Sequence, residues 1–211
     1  MLNFSERVAS DLLNIKAVFL SPKELFTWAS GIKSPIYCDN RIILSYPNVR
    51  KEIESMLTLS VKINFPKCEF LIGTSTAGIP HAAIMADMLN LPMAYVRNAE
   101  KSHGRRNMIE GKIQPQTKAV VVEDLISTGV SSLNVVKTLK DSNINVLGVI
   151  SIFDYNLKIS KANFEKNSTV NFSLTNYDIL INLAYERSII DDNGLETLKA
   201  FREKLENSVQ N

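Results

Sequence analysis

Residues 119–132 read AVVVEDLISTGVSS, and the reading of this stretch decides the fold. The apolar run Ala119–Val122 stops at two adjacent acids, Glu123 and Asp124, followed by the small residues Ser127, Thr128, Gly129 and Ser131. Leu133, Val136 and Leu139 then recur at helical spacing. A continuous β-branched run predicts a parallel strand, and the carboxyl end of such a strand is where open α/β sheets bind ligands. Small residues at a helix N-terminus turn backbone N–H groups outward, where the helix dipole favours a phosphate. Carboxylates just before them repel that phosphate and suit sugar hydroxyls, so the pattern suggests a ribose 5-phosphate. Acid pairs at strand ends and hydroxyl caps are also ordinary in α/β proteins. The pattern alone therefore leaves a plain strand-to-helix turn open. No GxxxxGK[ST] and no GxGxxG after a strand is present, so a Walker-type or dinucleotide site has no support.

Outward from this stretch the chain alternates. Glu69–Ile72 predicts a strand, residues 73–78 (GTSTAG) a loop, and Pro80–Leu89 a helix. Leu91–Val96 predicts a strand, Ser131–Lys140 a helix and Val146–Phe153 another strand. This βαβ rhythm predicts an α/β fold with a central twisted parallel sheet flanked by helices. Residues 46–64 read as the helix entering the sheet. Residues 1–45 and those after about 155 read as add-ons to it. Phe4, Val8 and Leu12 mark an amphipathic first helix rather than a signal peptide, and Asp191, Asp192 and Asn193 cap a last one. The expected organisation is one domain over 1–211, with a small hood mainly in 1–45 and a core over about 46–185.

Composition narrows the class. The 211 residues are 45% hydrophobic and 22% charged, as in ordinary soluble domains. A net charge of +2 argues for neither nucleic acid nor an anionic membrane, and no 18-residue apolar stretch occurs. Cys38 and Cys68 lack CxxC spacing, so reduced thiols in a cytoplasmic protein are expected.

Two further segments carry chemical signals. Thr74, Ser75, Thr76, Ala77 and Gly78 repeat the small-residue logic at another strand end, and two anion loops at neighbouring strand ends suit a ligand with two separated phosphate groups. A plain strand-to-helix connection remains open there as well. Residues 97–112, RNAEKSHGRRNMIEGK, bring Arg97, Lys101, Arg105, Arg106 and Lys112 together with His103. A charged segment of this length between strands reads as a lid or as a solvated loop. Phe26–Asn40, FTWASGIKSPIYCDN, has turn signals and the only tryptophan, so it reads as loop or hairpin.

The hydrophobic strand, two acids and Ser/Thr/Gly loop of residues 119–132 resemble the phosphoribosyl pyrophosphate (PRPP) signature of the type I phosphoribosyltransferases. The match to Tyr95-Val96-Arg97, Lys101, His103 and Gly104, with the SG-x-x-SP-x-Y arrangement of the hood, is similar to the orotate phosphoribosyltransferases. The resemblance implies that PRPP contacts fall on Glu123, Asp124, Leu125, Ile126, Ser127, Thr128, Gly129, Val130 and Ser131, and on Arg97, Lys101 and His103. It further implies that residues Thr74 to Gly78 hold the pyrophosphate and that Ser127 contacts orotate, with Lys101, His103 and Asp124 as the catalytic candidates. Mg²⁺ is the cofactor expected on the same ground, carried mainly by PRPP with few protein ligands. A homodimer with shared active sites is the implied assembly, the charged segment of one subunit serving the other. The chain departs from the family at Ala77, where some members have a lysine, at Asn98, at Val130, and at Tyr155, where others place an orotate-binding arginine. A purine- or uracil-specific transferase and a non-catalytic PRPP sensor are the competing readings. The hood argues against the first. The second should bring a nucleic-acid-binding module, which the sequence does not suggest.

Overall fold

A computed structural model describes residues 3–27, 31–97 and 108–209. The hood comprises α1 (Phe4–Asn14) and four short strands, β1 (Val18–Leu20), β2 (Phe26–Thr27), β3 (Lys33–Ser34) and β4 (Ile36–Cys38), with a 3-10 turn over Asn40–Ser45. Then come α2 (Pro47–Asn64), β5 (Phe70–Thr74), α3 (Gly78–Leu89), β6 (Met93–Val96), β7 (Ile109–Glu110), β8 (Lys118–Ile126) and α4 (Val130–Asp141). The chain closes with β9 (Asn145–Asp154), α5 (Lys158–Lys166), β10 (Asn171–Asn176), α6 (Tyr177–Glu186) and α7 (Asp192–Val209).

Six strands form the central sheet in the order β10-β9-β8-β5-β6-β7. Five are parallel, and β7 runs antiparallel to β6, Val96 facing Ile109. The expectation of a parallel sheet is corrected to a mixed one. After the charged segment the chain doubles back along β6 instead of crossing over, and only a crossover connection would give a parallel neighbour. The region after residue 155 is likewise more than an add-on, because β10 pairs with β9 from Asn171 to Asn176.

Both faces of the sheet are covered, which is why β8 reads as an unbroken apolar run. Val120 and Val122 enter one core with Leu57 of α2, Met85 of α3 and Leu180 of α6. Ala119 and Val121 enter the other with Leu133 and Val136 of α4 and Phe164 of α5. Alternate side chains of a strand point to opposite faces, so a strand covered twice must be apolar at every position. The carboxyl ends of the five parallel strands, at Thr74, Val96, Ile126, Asp154 and Asn176, lie along one edge of the sheet.

Local chemistry sets the helix ends. Asn3 accepts from Glu6 N–H while Glu6 accepts from Asn3 N–H, a reciprocal cap that starts α1. Pro47 opens α2, and Asn176 caps α6 by accepting from the Ile179 N–H. The hood is a pair of antiparallel ladders, β1 with β4 and β2 with β3, as the turn signals in 26–40 require. It is tied to the sheet by Asn40, whose Nδ2 donates to the Asp124 carbonyl at 2.7 Å.

Candidate active site

The two small-residue loops meet at the edge formed by the ends of β5 and β8. Strand β8 does not stop at the acids, as the apolar run suggested, but continues through Glu123 and Asp124 to Ile126. Glu123 is buried, while Asp124 is half-buried and its backbone carbonyl is held by Asn40.

The carboxyl group of Glu123 lies between three structural elements. Its Oε1 is 2.6 Å from Thr74 Oγ1 on β5 and accepts from the Asp124 N–H at 3.1 Å. Its Oε2 accepts from Ser132 Oγ, in the first turn of α4, at 3.0 Å. Burial, followed by the charge of Asp124, pushes its pKa up to about 8.

The loop after β5 turns its hydroxyls inward. Thr74 is buried and also lies 3.1 Å from the Val122 carbonyl, and Ser75 Oγ donates to the Val96 carbonyl at 2.6 Å. Thr76 is exposed, with Ala77 half-buried beside it. The Ser75–Thr76 peptide is cis. Gly78 begins α3 against β8: a Cβ there would lie 2.3 Å from the Val122 carbonyl oxygen and 2.4 Å from Thr74 Oγ1.

The loop after β8 is more open. Ser127 and Thr128 are half-buried, Ser131 is exposed, and Gly129 takes a left-handed φ of 76°. The Thr128 carbonyl accepts from Asn163 Nδ2, which pins the turn to α5. Helix α4 starts at Val130 with no side-chain hydrogen bond capping it, so its first N–H groups present the positive end of the dipole to the edge. Val130, half of whose surface is exposed, is already helical, so the departure from glycine at this position carries no strain. Leu125 is half-buried and Ile126 is buried in the core, and these two apolar side chains frame the loop.

Beside this loop a cavity of about 570 Å³ is lined by Val96, Arg97, Met108, Val130, Ser131 and Lys137, among others. Arg97 follows β6. Its N–H donates to the Met108 carbonyl at 2.9 Å, and its guanidinium lies 3.5 Å from Glu110 Oε1. Lys101 and His103 lie outside the described residues. Tyr155, the departure noted in the sequence, is buried and stacked on Tyr177 with ring centroids 5.8 Å apart. Another cleft, of about 280 Å³ between Leu20–Lys23 and the start of α7, lies away from the strand ends.

Sequence reading missed three contributors. Ser132 stood one residue beyond the assigned run. Asn40 had no signal beyond its place at the end of the hood motif. The third is a buried pair, His81 of α3 and Glu54 of α2, with Nδ1 and Oε1 2.5 Å apart behind the loop after β5. A lone His and Glu inside apolar helices give no pattern that links them.

No protein-family model matches the chain. Among curated proteins it is 50% identical over 207 residues to an orotate phosphoribosyltransferase of Enterococcus faecalis, covering 98% of this chain and 99% of the relative. It is 51% identical over 205 residues to that of Streptococcus mutans, covering 97% and 98%. Among solved structures it superposes on orotate phosphoribosyltransferase from Aeropyrum pernix with a TM-score of 0.75 at 23% identity, covering 87% of this chain and 99% of that one. The UMP synthase of Leishmania donovani gives a TM-score of 0.80 at 23% identity. The match covers 96% of this chain but 43% of that longer one.

Proposed function

This chain belongs to the orotate phosphoribosyltransferase family, and on that premise we propose how its own residues carry the reaction. The enzyme transfers ribose 5-phosphate from PRPP to orotate, giving orotidine 5′-phosphate and pyrophosphate in pyrimidine biosynthesis. The bond from the anomeric carbon to the diphosphate oxygen breaks, and a bond from that carbon to an orotate nitrogen forms.

The observation that carries the assignment of sites is the direct contact between the two loops, Thr74 to Glu123 at 2.6 Å. It sets a helix start suited to a phosphate and a second anion loop side by side, as a sugar phosphate diphosphate would require. The uncapped start of α4, with Ser127, Thr128 and Ser131, holds the 5′-phosphate. Residues 74–78 hold the pyrophosphate through backbone N–H groups and Thr76. Asp124 accepts from the ribose hydroxyls and faces the positive charge that develops at the anomeric carbon. Ser127 is assigned to orotate.

Arg97, Lys101 and His103 stabilise the departing pyrophosphate. Arg97 sits at the foot of the charged segment, beside the cavity that α4 lines. Magnesium, when bound, neutralises the diphosphate and draws charge from the breaking bond. An ion carried mainly by PRPP would ask few ligands of the protein, in keeping with both Glu123 oxygens being taken up internally. The working assembly is a homodimer in the cytoplasm, with the 97–112 segment of each subunit serving its partner's site.

Pyrophosphate release from PRPP tests this reading, with orotate compared against uracil, hypoxanthine and adenine. Release with orotate alone is expected, and equal or greater release with another base would overturn the assignment. In the same assay Lys101→Ala should lower turnover about 100-fold while leaving orotate affinity unchanged. Mixing it with Asp124→Ala chains should restore activity if sites are shared, and mixtures no better than the separate variants would argue for self-contained subunits.

A further inference from the structure

Orotate differs from uracil by one carboxylate, so a site that prefers it needs paired donors or a cation for that group. The base becomes bonded to the anomeric carbon and therefore lies beside the ribose that Asp124 holds. The part of the hood fastened there is the turn after β4. Asn40, 1% exposed, donates from Nδ2 to the Asp124 carbonyl at 2.7 Å, and its Oδ1 accepts from Cys38 Sγ at 3.5 Å. Arg41 comes next in the chain, so a cation is carried one residue from this anchor.

Arg41 is exposed, yet its direction is fixed. Asp39 caps the 3-10 turn by accepting from the Arg41 N–H at 3.1 Å. The same carboxylate holds the guanidinium, Nε donating to Oδ1 at 2.6 Å and Nη2 to Oδ2 at 2.8 Å. That grip takes one edge of the planar group. The other edge, Nη1 with the second Nη2 proton, has no partner among the described residues, and 66% of the side chain is exposed. Such an edge is the two-donor fork that a carboxylate fits. Asp39 first, and Asp124 more weakly, hold the Arg41 pKa above its ordinary value, so the Asp124 carboxylate lies within electrostatic reach. Because Asp39 offsets part of the charge, Arg41 offers an aimed fork more than a net positive field.

Other cations around the strand ends are engaged or stand further off. Arg202 is paired with Asp178, and Lys158 with Glu206. Arg97 follows β6, two strands from β8, and meets Glu110. Lys161 on α5 is exposed and its charge reaches Asp154 at the end of β9, which makes it the rival. We propose that Arg41 is a specificity-determining residue, placed by Asn40 and aimed by Asp39 so that its open guanidinium edge donates two parallel N–H bonds to the orotate carboxylate. The proposal rests on the transferase reading above and names how that site tells orotate from a neutral pyrimidine.

Orotate and its methyl ester, which keeps the ring and masks the charge, test this in one assay. The ester is titrated as an inhibitor of orotate-dependent pyrophosphate release at saturating PRPP. The native enzyme should favour orotate over the ester about 30-fold, the scale of a charge-assisted fork. Arg41→Ala should raise the KM for orotate by about that factor and leave the KM for PRPP within about twofold. It should also bring orotate and ester within about threefold of each other. Arg41→Lys keeps a charge without the fork and should fall between the two. Lys161→Ala should keep the native preference.

An Arg41→Ala enzyme that still prefers orotate as the native one does would overturn the proposal. Loss of the preference in Lys161→Ala would do the same, as would a native enzyme that treats orotate and ester alike. If Arg41→Ala does not fold, Arg41→Lys decides by itself, and an unaltered preference in it counts against the fork. Native protein with no orotate-dependent pyrophosphate release would fault the functional reading. An active native enzyme with an unaltered Arg41→Ala variant would fault the role of Arg41 alone.

Discussion

The loops after β5 and β8 use the same small residues in opposite ways. After β5 the hydroxyls of Thr74 and Ser75 point into the protein, and Gly78 lies against backbone. After β8, Ser127, Thr128 and Ser131 keep exposed surface, and α4 begins without a side-chain cap. One loop is held by its side chains and offers mainly backbone; the other is held from outside, by Asn163 and Asn40, and keeps its own groups for a ligand. Similar composition does not imply similar work. What separates the two is where the neighbouring strands supply partners.

Glycine substitutions break this comparison most directly. Gly78→Ala sets a methyl group 2.3 Å from a backbone oxygen that cannot turn aside. A loss of about 3 kcal/mol is expected in denaturant unfolding. A stable Gly78→Ala protein would mean that the loop after β5 is not tightly held. Gly129→Ala meets the Phe164 ring at 2.7 Å and needs a left-handed residue at φ 76°. The left-handed conformation costs an L-residue about 1–2 kcal/mol, so the loss should be smaller than at Gly78. The PRPP KM should nevertheless rise, because the start of α4 moves. Reversal of that stability order would show that the loop after β8 is the more constrained.

The last effect is one of pH. Glu123 titrates near 4.5 in an unfolded chain and at about 8 in the folded protein. Between those values the folded state holds a proton that the unfolded state has released. This contribution to stability is therefore fully present below pH 4.5 and declines as pH rises towards 8, by at most about 1.4 kcal/mol per unit. Glu123→Gln has no such proton. The difference in Tm, variant minus native, should widen across that window in protein without substrate. A constant difference would place an ionised Glu123 in the native fold.

How far the sequence was legible depends on burial. Ala119–Val122 announced a strand because both faces of β8 are covered, and Leu133, Val136 and Leu139 announced α4 because one face is. The acids hid the rest of β8. A carboxylate reads as the end of a buried strand, whereas Glu123 stays inside because Thr74 and Ser132 meet it. Those partners lie 49 and 9 residues away in the chain and left no local trace. Strand β10, NFSLTN, is mostly polar and buries mainly Leu174 and Thr175, so it lacked the period that exposes a strand. Strand β7 has two residues and owes its place to pairing with Val96 and Tyr95, not to propensity. At the site, the helix start and the acid pair were readable from residue type. The inward turn of Thr74 and Ser75 was not, because a hydroxyl in a turn looks the same whether it faces water or a carbonyl.

The pairing of β6 with β7 also sets a leash. Arg97 N–H is bonded to the Met108 carbonyl, so the residues between them, 98–107, leave and return at a single point. Whatever path they take, a chain advances no more than about 3.6 Å per residue. Lys101 is four positions past Arg97, which confines its Cα to a sphere of about 14 Å radius around that anchor. Any active centre it serves, in its own subunit or across a two-fold axis, must come within that radius plus the length of one lysine side chain. Lengthening the segment by glycines would enlarge the sphere without touching a single contact in the sheet.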